Sequence, residues 1–261
     1  MTLKEGGLLS SLFALSIVLT GCSKPDDPAV LHRALGNEYA RKAEWAAAAT
    51  EYGLSLQANP RDRKVWELKA NAHIRLGQLR QAAESLTKPT EYTSDPAAKA
   101  ESYRLVAGMY VEQREFDEAE KAFAEALKFD SRDELSLSWL GEIASARGGA
   151  RSMSDPPDPV WLTKAIAYYE KAISLNPDNL FSYVNKRIAI TKYIVLEEQE
   201  RDLAERLILL ERRDASKVAA AQTRLTESTA RIEGFKKEIE ELSKKIKELQ
   251  AAQKAKKQST S

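Results

Sequence analysis

Residues 100–133 read AESYRLVAGMYVEQREFDEAEKAFAEALKFDSRD. Tyr103, Val106 and Tyr110 follow one another at helical spacing, so they share one face of a helix. Ala107 and Ala119 are small, and the bulky Phe123 comes four positions after the second of them. The stretch closes on Asp130-Ser131-Arg132-Asp133, a turn followed by an aspartate suited to open another helix. The same places recur outward along the chain. Gly36, Ala70, Ala107 and Gly141 are spaced 34, 37 and 34 apart, and Ala48, Ala82, Ala119 and Ala165 are spaced 34, 37 and 46 apart. Tyr52, Leu86, Phe123 and Tyr169 each follow the second series by four. Small residues repeating in this way mark crossings too close for a large side chain, and a fixed period of this size signals stacked units.

The pattern resembles the tetratricopeptide repeat (TPR), a 34-residue helix–turn–helix unit. In that register residues 29–62 carry Leu35, Gly36, Tyr39, Ala48, Tyr52 and Pro60. Residues 63–96 carry Trp66, Ala70, Leu76, Gly77, Ala82 and Leu86, but depart from the pattern at Lys69, His73 and Pro89. Residues 100–133 fit well. A fourth unit keeps Leu140, Gly141, Ala165, Tyr169, Ala172 and Pro177, with 12 extra residues between its helices. The resemblance spans 29–178 and implies a TPR solenoid of helical hairpins. Asp62, Asp133 and Asn179 are the expected N-caps, with Asp95-Pro96 as a further start signal. The insertion at 147–159, with Gly148-Gly149 and Pro156-Pro157-Asp158-Pro159, is expected to be a solvated surface loop. Trp161 is expected to pack on the solenoid.

Composition agrees with an all-α chain. Alanine occurs 38 times and valine nine times, which disfavours sheet folds. All nine prolines lie at or before Pro177, and ten of eleven glycines at or before Gly149. The charge is balanced, 40 Lys+Arg against 39 Asp+Glu, so no nucleic-acid partner is expected. One cysteine and two distant histidines offer neither a Cys/His metal set nor a Cys–His nucleophile. The carboxylates form no recognisable catalytic motif. An enzyme, a metal and a cofactor are therefore not expected.

In the TPR family the first helix of each unit lines a concave groove. Carried onto this sequence, the groove positions give Arg33, Asn37, Arg41, Lys64, Asn71, Arg75 and Arg104. Asn37 and Asn71 stand 34 residues apart, and their amides offer donor and acceptor to the backbone of an extended peptide. The arginines are suited to a carboxylate. The match to the family's carboxylate-clamp subclass is partial, since Leu68 and Glu101 replace an expected Asn and Lys. His32 and His73 are read as core-edge residues.

At the other end, the apolar run from Leu8 to Leu19 is too short to span a membrane and suits a secretory signal. It ends in Leu19-Thr20-Gly21-Cys22, which resembles the lipobox of bacterial lipoproteins. That resemblance implies a signal peptide over 1–21, a diacylglycerol and acyl anchor on Cys22, and a lipidated amino terminus with a linker over 22–28. Ser23 after the cysteine implies sorting to the outer membrane, with the protein facing the periplasm. Lys4, offset by Glu5, is a weak positive start. The implied role is a membrane-anchored scaffold for protein–protein interactions in envelope assembly, secretion, pilus or exopolysaccharide export. The alternative is a structural envelope protein whose rod is the working part.

That rod is the proline-free tail. Phe181, Val184 and Ile188 are expected to cap the last repeat in a helix over 179–196. Val218, Leu225, Ile232, Ile239 and Ile246 recur every seven residues, with Ala221, Ser228, Phe235, Leu242 and Leu249 between them, a coiled-coil pattern. The phase shifts between Leu210 and Val218. Without Gly or Pro there, one helix over 197–253 is the favoured expectation, with a stutter at Asp214; a hairpin turn within 211–216 is the competitor. The Ile/Leu pattern favours a parallel homodimer. Residues 254–261, with Lys254, Lys256 and Lys257, are read as a disordered basic end.

Overall fold

The computed structural model describes residues 27–150 and 155–259. Among the described residues ten α-helices pair into five antiparallel hairpins: α1 (Pro28–Arg41) with α2 (Trp45–Ala58), α3 (Arg63–Arg75) with α4 (Leu79–Thr87), α5 (Pro96–Glu112) with α6 (Phe116–Phe129), α7 (Glu134–Arg147) with α8 (Pro159–Leu175), and α9 (Leu180–Leu210) with α10 (Ala215–Ser259). A 3-10 turn over Lys88–Tyr92 follows α4. No strand occurs among the described residues. The four shorter hairpins are the solenoid expected from the repeat spacing.

The small residues sit where two helices meet. Ala48, Ala82, Ala119 and Ala165 have no exposed surface. A Cβ added to Gly36 would stand 2.6 Å from the Tyr52 ring, and one added to Gly141 would stand 2.6 Å from the Tyr169 ring. Where the facing side chain is Leu86 or Phe123, alanine suffices, at Ala70 and Ala107. Each tyrosine also needs a hydrogen-bond partner. Tyr52 Oη donates to Asn37 Oδ1 at 2.9 Å, and Tyr169 Oη donates to Glu142 Oε2 at 3.3 Å.

The turns inside the hairpins are alike. Glu44, Gln78 and Glu115 each donate an amide to a carbonyl five residues back, on Tyr39, His73 and Tyr110 respectively, all at 2.9 Å, the mark of a Schellman ending. The left-handed position is Ala43 (φ 58°), Gly77 (φ 71°) and Arg114 (φ 62°). Only the second of these is the glycine that such a conformation favours.

The starts of the first helices obey the capping expectation with one change. Asp62 accepts from the Val65 amide, Asp95 from Ala97 and Asn179 from Ser182. Asp133 stands at the N-cap of α7 but makes no backbone cap. Its carboxylate accepts from Ser136 Oγ at 2.6 Å and Arg104 Nη1 at 3.0 Å instead.

One expectation about the fourth unit is corrected and one holds. The insertion is not solvated throughout: Gly148, Gly149 and Ala150 are buried, and a Cβ on Gly148 would meet Leu162 at 2.8 Å. The nearly inaccessible ammonium of Lys192 donates to the Asp155 carbonyl, tying the far side of the insertion to α9. Trp161 packs as expected, with the Arg147 guanidinium 4.7 Å and the Lys164 ammonium 4.6 Å from its ring centroid.

The tail is corrected as well. The expected division at residue 197 is absent, because α9 runs unbroken to Leu210. The single helix over 197–253 is also absent; the chain reverses at 211–214 and α10 folds back along α9. Asp214 is the physical reason. Its Oδ1 accepts from the Ser216 and Lys217 amides at 3.1 and 3.2 Å, so it serves as an N-cap rather than a core position. Lys217 Nζ, 3.0 Å from Glu211 Oε2, closes the turn.

The heptad stripe faces α9 of the same chain. Ile232, Leu242, Ile246 and Leu249 are buried, and Val218, Leu225, Phe235 and Ile239 are half-buried. Phe235 meets Tyr193 with ring centroids 5.3 Å apart. Arg231 Nε donates to Glu197 Oε1 at 2.8 Å. Lys186 Nζ lies 2.6 Å from Glu238 and 2.9 Å from Glu170, joining α8, α9 and α10. Burial works against the Lys186 charge, but the hydrogen bonds it donates to the Glu238 and Glu170 carboxylates outweigh it and raise its pKa. The expected parallel homodimer through this stripe therefore lacks a free seam, since a partner in the same chain has far higher effective concentration. Phe181 and Ile188 also remain 41 % and 40 % exposed, so they cap the last repeat only in part; Ser182, Ala189 and Ile190 are the residues of α9 buried there.

Candidate functional site

The first helices α1, α3, α5 and α7, continued by α9, carry the positions expected to line a groove. Most of the basic residues expected there are engaged within the chain. Arg33 Nη1 is 3.3 Å from Asp62 Oδ2, and Arg104 Nη1 is 3.0 Å from Asp133 Oδ1. Each arginine thus reaches the N-cap of the next unit's first helix. The equivalent place in the fourth unit is Ser138, whose Oγ accepts from Asn179 Nδ2 at 2.9 Å. The second unit has Glu67 there, which pairs with Arg63 at 3.4 Å and Lys64 at 3.3 Å. In the first, third and fourth units this position is a latch to the first helix of the next hairpin, whereas in the second it pairs within its own helix. The signal for it was present in the sequence as the constant separation between Arg33 and Asp62 and between Arg104 and Asp133, 29 residues in both cases.

The other candidates divide. Arg41 pairs with Glu38 in its own helix, and the Arg75 guanidinium lies 5.6 Å from the Trp45 ring centroid. Asn37 is exposed, with its carbonyl oxygen held by Tyr52. Asn71 is exposed on α3 and makes no hydrogen bond among the described residues. His32 and His73 stand at helix edges as expected, bonded to Glu51 at 2.7 Å and Gln78 at 2.8 Å.

Two adjoining clefts open on these helices. One, of about 500 Å³, lies between α3 and α5 and includes Asn71, Ile74, Arg104, Leu105 and Glu112. The other, of about 480 Å³, lies between α5, α7 and α9 and includes Val111, Glu112, Trp139, Glu142, Phe181 and Asn185. Glu112 is common to both and makes no ion pair among the described residues. Leu105 and Phe181 are 39 % and 41 % exposed. Trp139 is set by its neighbours, 6.3 Å from Phe123 and 5.7 Å from Phe181 between ring centroids. The arrangement offers an apolar strip edged by an amide and a carboxylate, suited to an extended polypeptide. Asn71 and Arg104 are the expected residues brought to it. Trp139 and Leu105 were missed, and Phe181 was read as a cap, because apolar residues on a first helix read as core until the neighbouring unit is placed; Glu112 carried no signal that set it apart from the other carboxylates of the chain.

Among the described residues no cluster of three or more His, Cys, Asp or Glu is placed to hold a metal. No described helix is long and apolar enough to cross a membrane. Cys22 and the leader over 1–21 lie outside the described residues.

Comparison with known proteins places the repeat directly. Residues 161–179 match the tetratricopeptide repeat family, on α8 and its junction with α9. No curated protein matches the chain. Among solved structures, MamA is 18 % identical with a TM-score of 0.45, covering 81 % of this chain and 95 % of that one. YrrB, described as a TPR protein with an unusual peptide-binding site, is 12 % identical with a TM-score of 0.42, covering 76 % of this chain and 94 % of that one. The first TPR domain of Spaghetti (RPAP3), bound to the HSP90 peptide SRMEEVD, is 18 % identical with a TM-score of 0.35, covering 46 % of this chain and 93 % of that one. None of these likenesses identifies a ligand for this chain.

Proposed function

We propose that the chain is a non-enzymatic scaffold that captures an extended segment of a partner protein along α3, α5, α7 and α9, and is held in the bacterial cell envelope by lipid on Cys22. The observation that carries the capture is the pair of clefts sharing Glu112, where Leu105, Trp139 and Phe181 present apolar surface beside the free amide of Asn71. The TPR match at 161–179 supports protein–protein interaction in general. The anchor rests on Leu19-Thr20-Gly21-Cys22, and Ser23 favours an outer-membrane location facing the periplasm. Within this reading the partners are components of envelope assembly, secretion, pilus or exopolysaccharide export. The rod alternative now rests on a doubled-back hairpin of α9's length, about 46 Å at ~1.5 Å per residue, rather than one extended helix.

Photo-crosslinking residues placed at Leu105 and Phe181 should trap the same partner in the native envelope, while one at Thr50, exposed on α2, should not. Phe181→Ala with Asn71→Ala should reduce capture without loss of helicity; unchanged capture would rule out the groove. Cys22→Ala should abolish lipid labelling and release the protein from membranes, and retained labelling would defeat the anchor.

A further inference from the structure

The far end of the α9–α10 hairpin differs from the rest of the surface. Leu209 and Leu210 are 74 % and 79 % exposed, more than any other large apolar side chain described. They occupy the last turn of α9, directly before Glu211-Arg212-Arg213-Asp214. They do not hold the hairpin shut, because the stem is closed behind them by Ala204 and Ala221, which are 1 % and 2 % exposed.

Arginine predominates among the unpaired charges at this end, where Glu205 is the one carboxylate without a partner among the described residues from 205 to 224. Glu211 is taken up by Lys217, and Asp214 by the first amides of α10. Arg212 and Arg213 have no hydrogen-bond or ion-pair partner among the described residues, and neither have Arg206 and Arg224 nearby. Tyr193 is the last residue of α9 packed on the core of α7 and α8; past it, Glu197 reaches Arg231 of α10. The hairpin end therefore projects past the repeats as an arm.

We propose that this tip docks on an anionic phospholipid bilayer, with Leu209 and Leu210 entering the acyl boundary and Arg212 and Arg213 meeting the headgroup phosphates. Two adjacent leucines at the end of an arm supply a small apolar wedge, and guanidinium groups pair bidentately with phosphate. Basic residues beside such a wedge are drawn to the negative potential of an anionic leaflet. The assignment does not depend on lipidation at Cys22.

The test uses the full chain with Cys22→Ala and a single Leu209→Cys carrying an environment-sensitive fluorophore. A second protein carries the label at Glu240→Cys, exposed on α10. Vesicles of phosphatidylcholine with one part in three phosphatidylglycerol should shift the Leu209→Cys emission to the blue and leave the Glu240→Cys emission unmoved. High salt should reverse the shift. Arg212→Glu with Arg213→Glu should lower the apparent affinity for these vesicles about tenfold or more. An equal shift on pure phosphatidylcholine, no shift on either, or an equal shift at Glu240→Cys would overturn the proposal. So would a shift that appears on raising the protein concentration without vesicles, which would assign the tip to self-association.

Discussion

The repeats and the terminal hairpin are both made of antiparallel helix pairs, yet their sequences solve the pairing differently. Within the repeats, a helix crosses its partner at a glycine or alanine, and a tyrosine, leucine or phenylalanine fills the space. Between units, Arg33 with Asp62 and Arg104 with Asp133 latch one hairpin to the following helix start. In the terminal hairpin, large apolar residues run along a seven-residue stripe and meet only α9 over most of its length. The comparison separates two kinds of stability. An inner repeat is held by neighbours on both sides, whereas the distal hairpin is held along one seam and can open alone.

The strongest way to sharpen that contrast is to cut into each core. Phe123→Ala, at a fully buried side chain, should cost about 3–5 kcal/mol. Its melting transition should fall across the whole solenoid in a thermal scan followed by circular dichroism. Ile232→Ala should cost about 2–4 kcal/mol, but hydrogen exchange should confine the loss to α10 and the distal half of α9. Protection lost equally in α5 and α6 would show one cooperative unit and break the distinction.

A smaller effect tests the crossings. Gly141→Ala sets a methyl group 2.6 Å from the Tyr169 ring and should destabilise by about 1–3 kcal/mol through overpacking. Chemical denaturation measures this, and Ala107→Gly supplies the opposite change at a crossing that already accepts a methyl.

The ion network of the hairpin comes next. Lys186→Met should cost about 1–2 kcal/mol, less than a fully buried pair because Glu170 and Glu238 keep access to water. Because the folded pKa of Lys186 is raised above the ordinary 10.5, its contribution is whole below that pH and is lost as pH rises through the folded value. Alkaline titration of α10 hydrogen exchange should show this loss in the native chain and not in Lys186→Met.

The smallest effect is a gain. Arg114 holds a left-handed backbone at φ 62°, so Arg114→Gly should stabilise the third hairpin by about 0.5–1 kcal/mol, read as a rise in melting temperature.

Much of this architecture is legible in the sequence. The 34-residue recurrence of small residues located the crossings, and Asp62, Asp95 and Asn179 announced helix starts, because both depend on residues near each other in the chain. The groove was legible only in part. Arg33 and Arg104 look like ligand-binding cations on a lone helix, and the aspartates that neutralise them belong to the next unit. Leu105, Trp139 and Phe181 carry the reverse ambiguity, since a buried and a solvent-facing apolar residue share the same helical spacing. Asp214 misled for a third reason. At a heptad position it reads as a stutter, and only the reversal of the chain shows it capping α10.

By itself the sequence determined the helical class, the number of repeats and the existence of an apolar stripe from Val218 to Leu249, all consequences of local periodicity. What occupies that stripe was decided by tertiary structure. A heptad face is satisfied equally by a second molecule or by the preceding helix, and no local pattern distinguishes them. The four residues from Glu211 to Asp214 bring α9 within reach, and proximity within one chain then outweighs association between two.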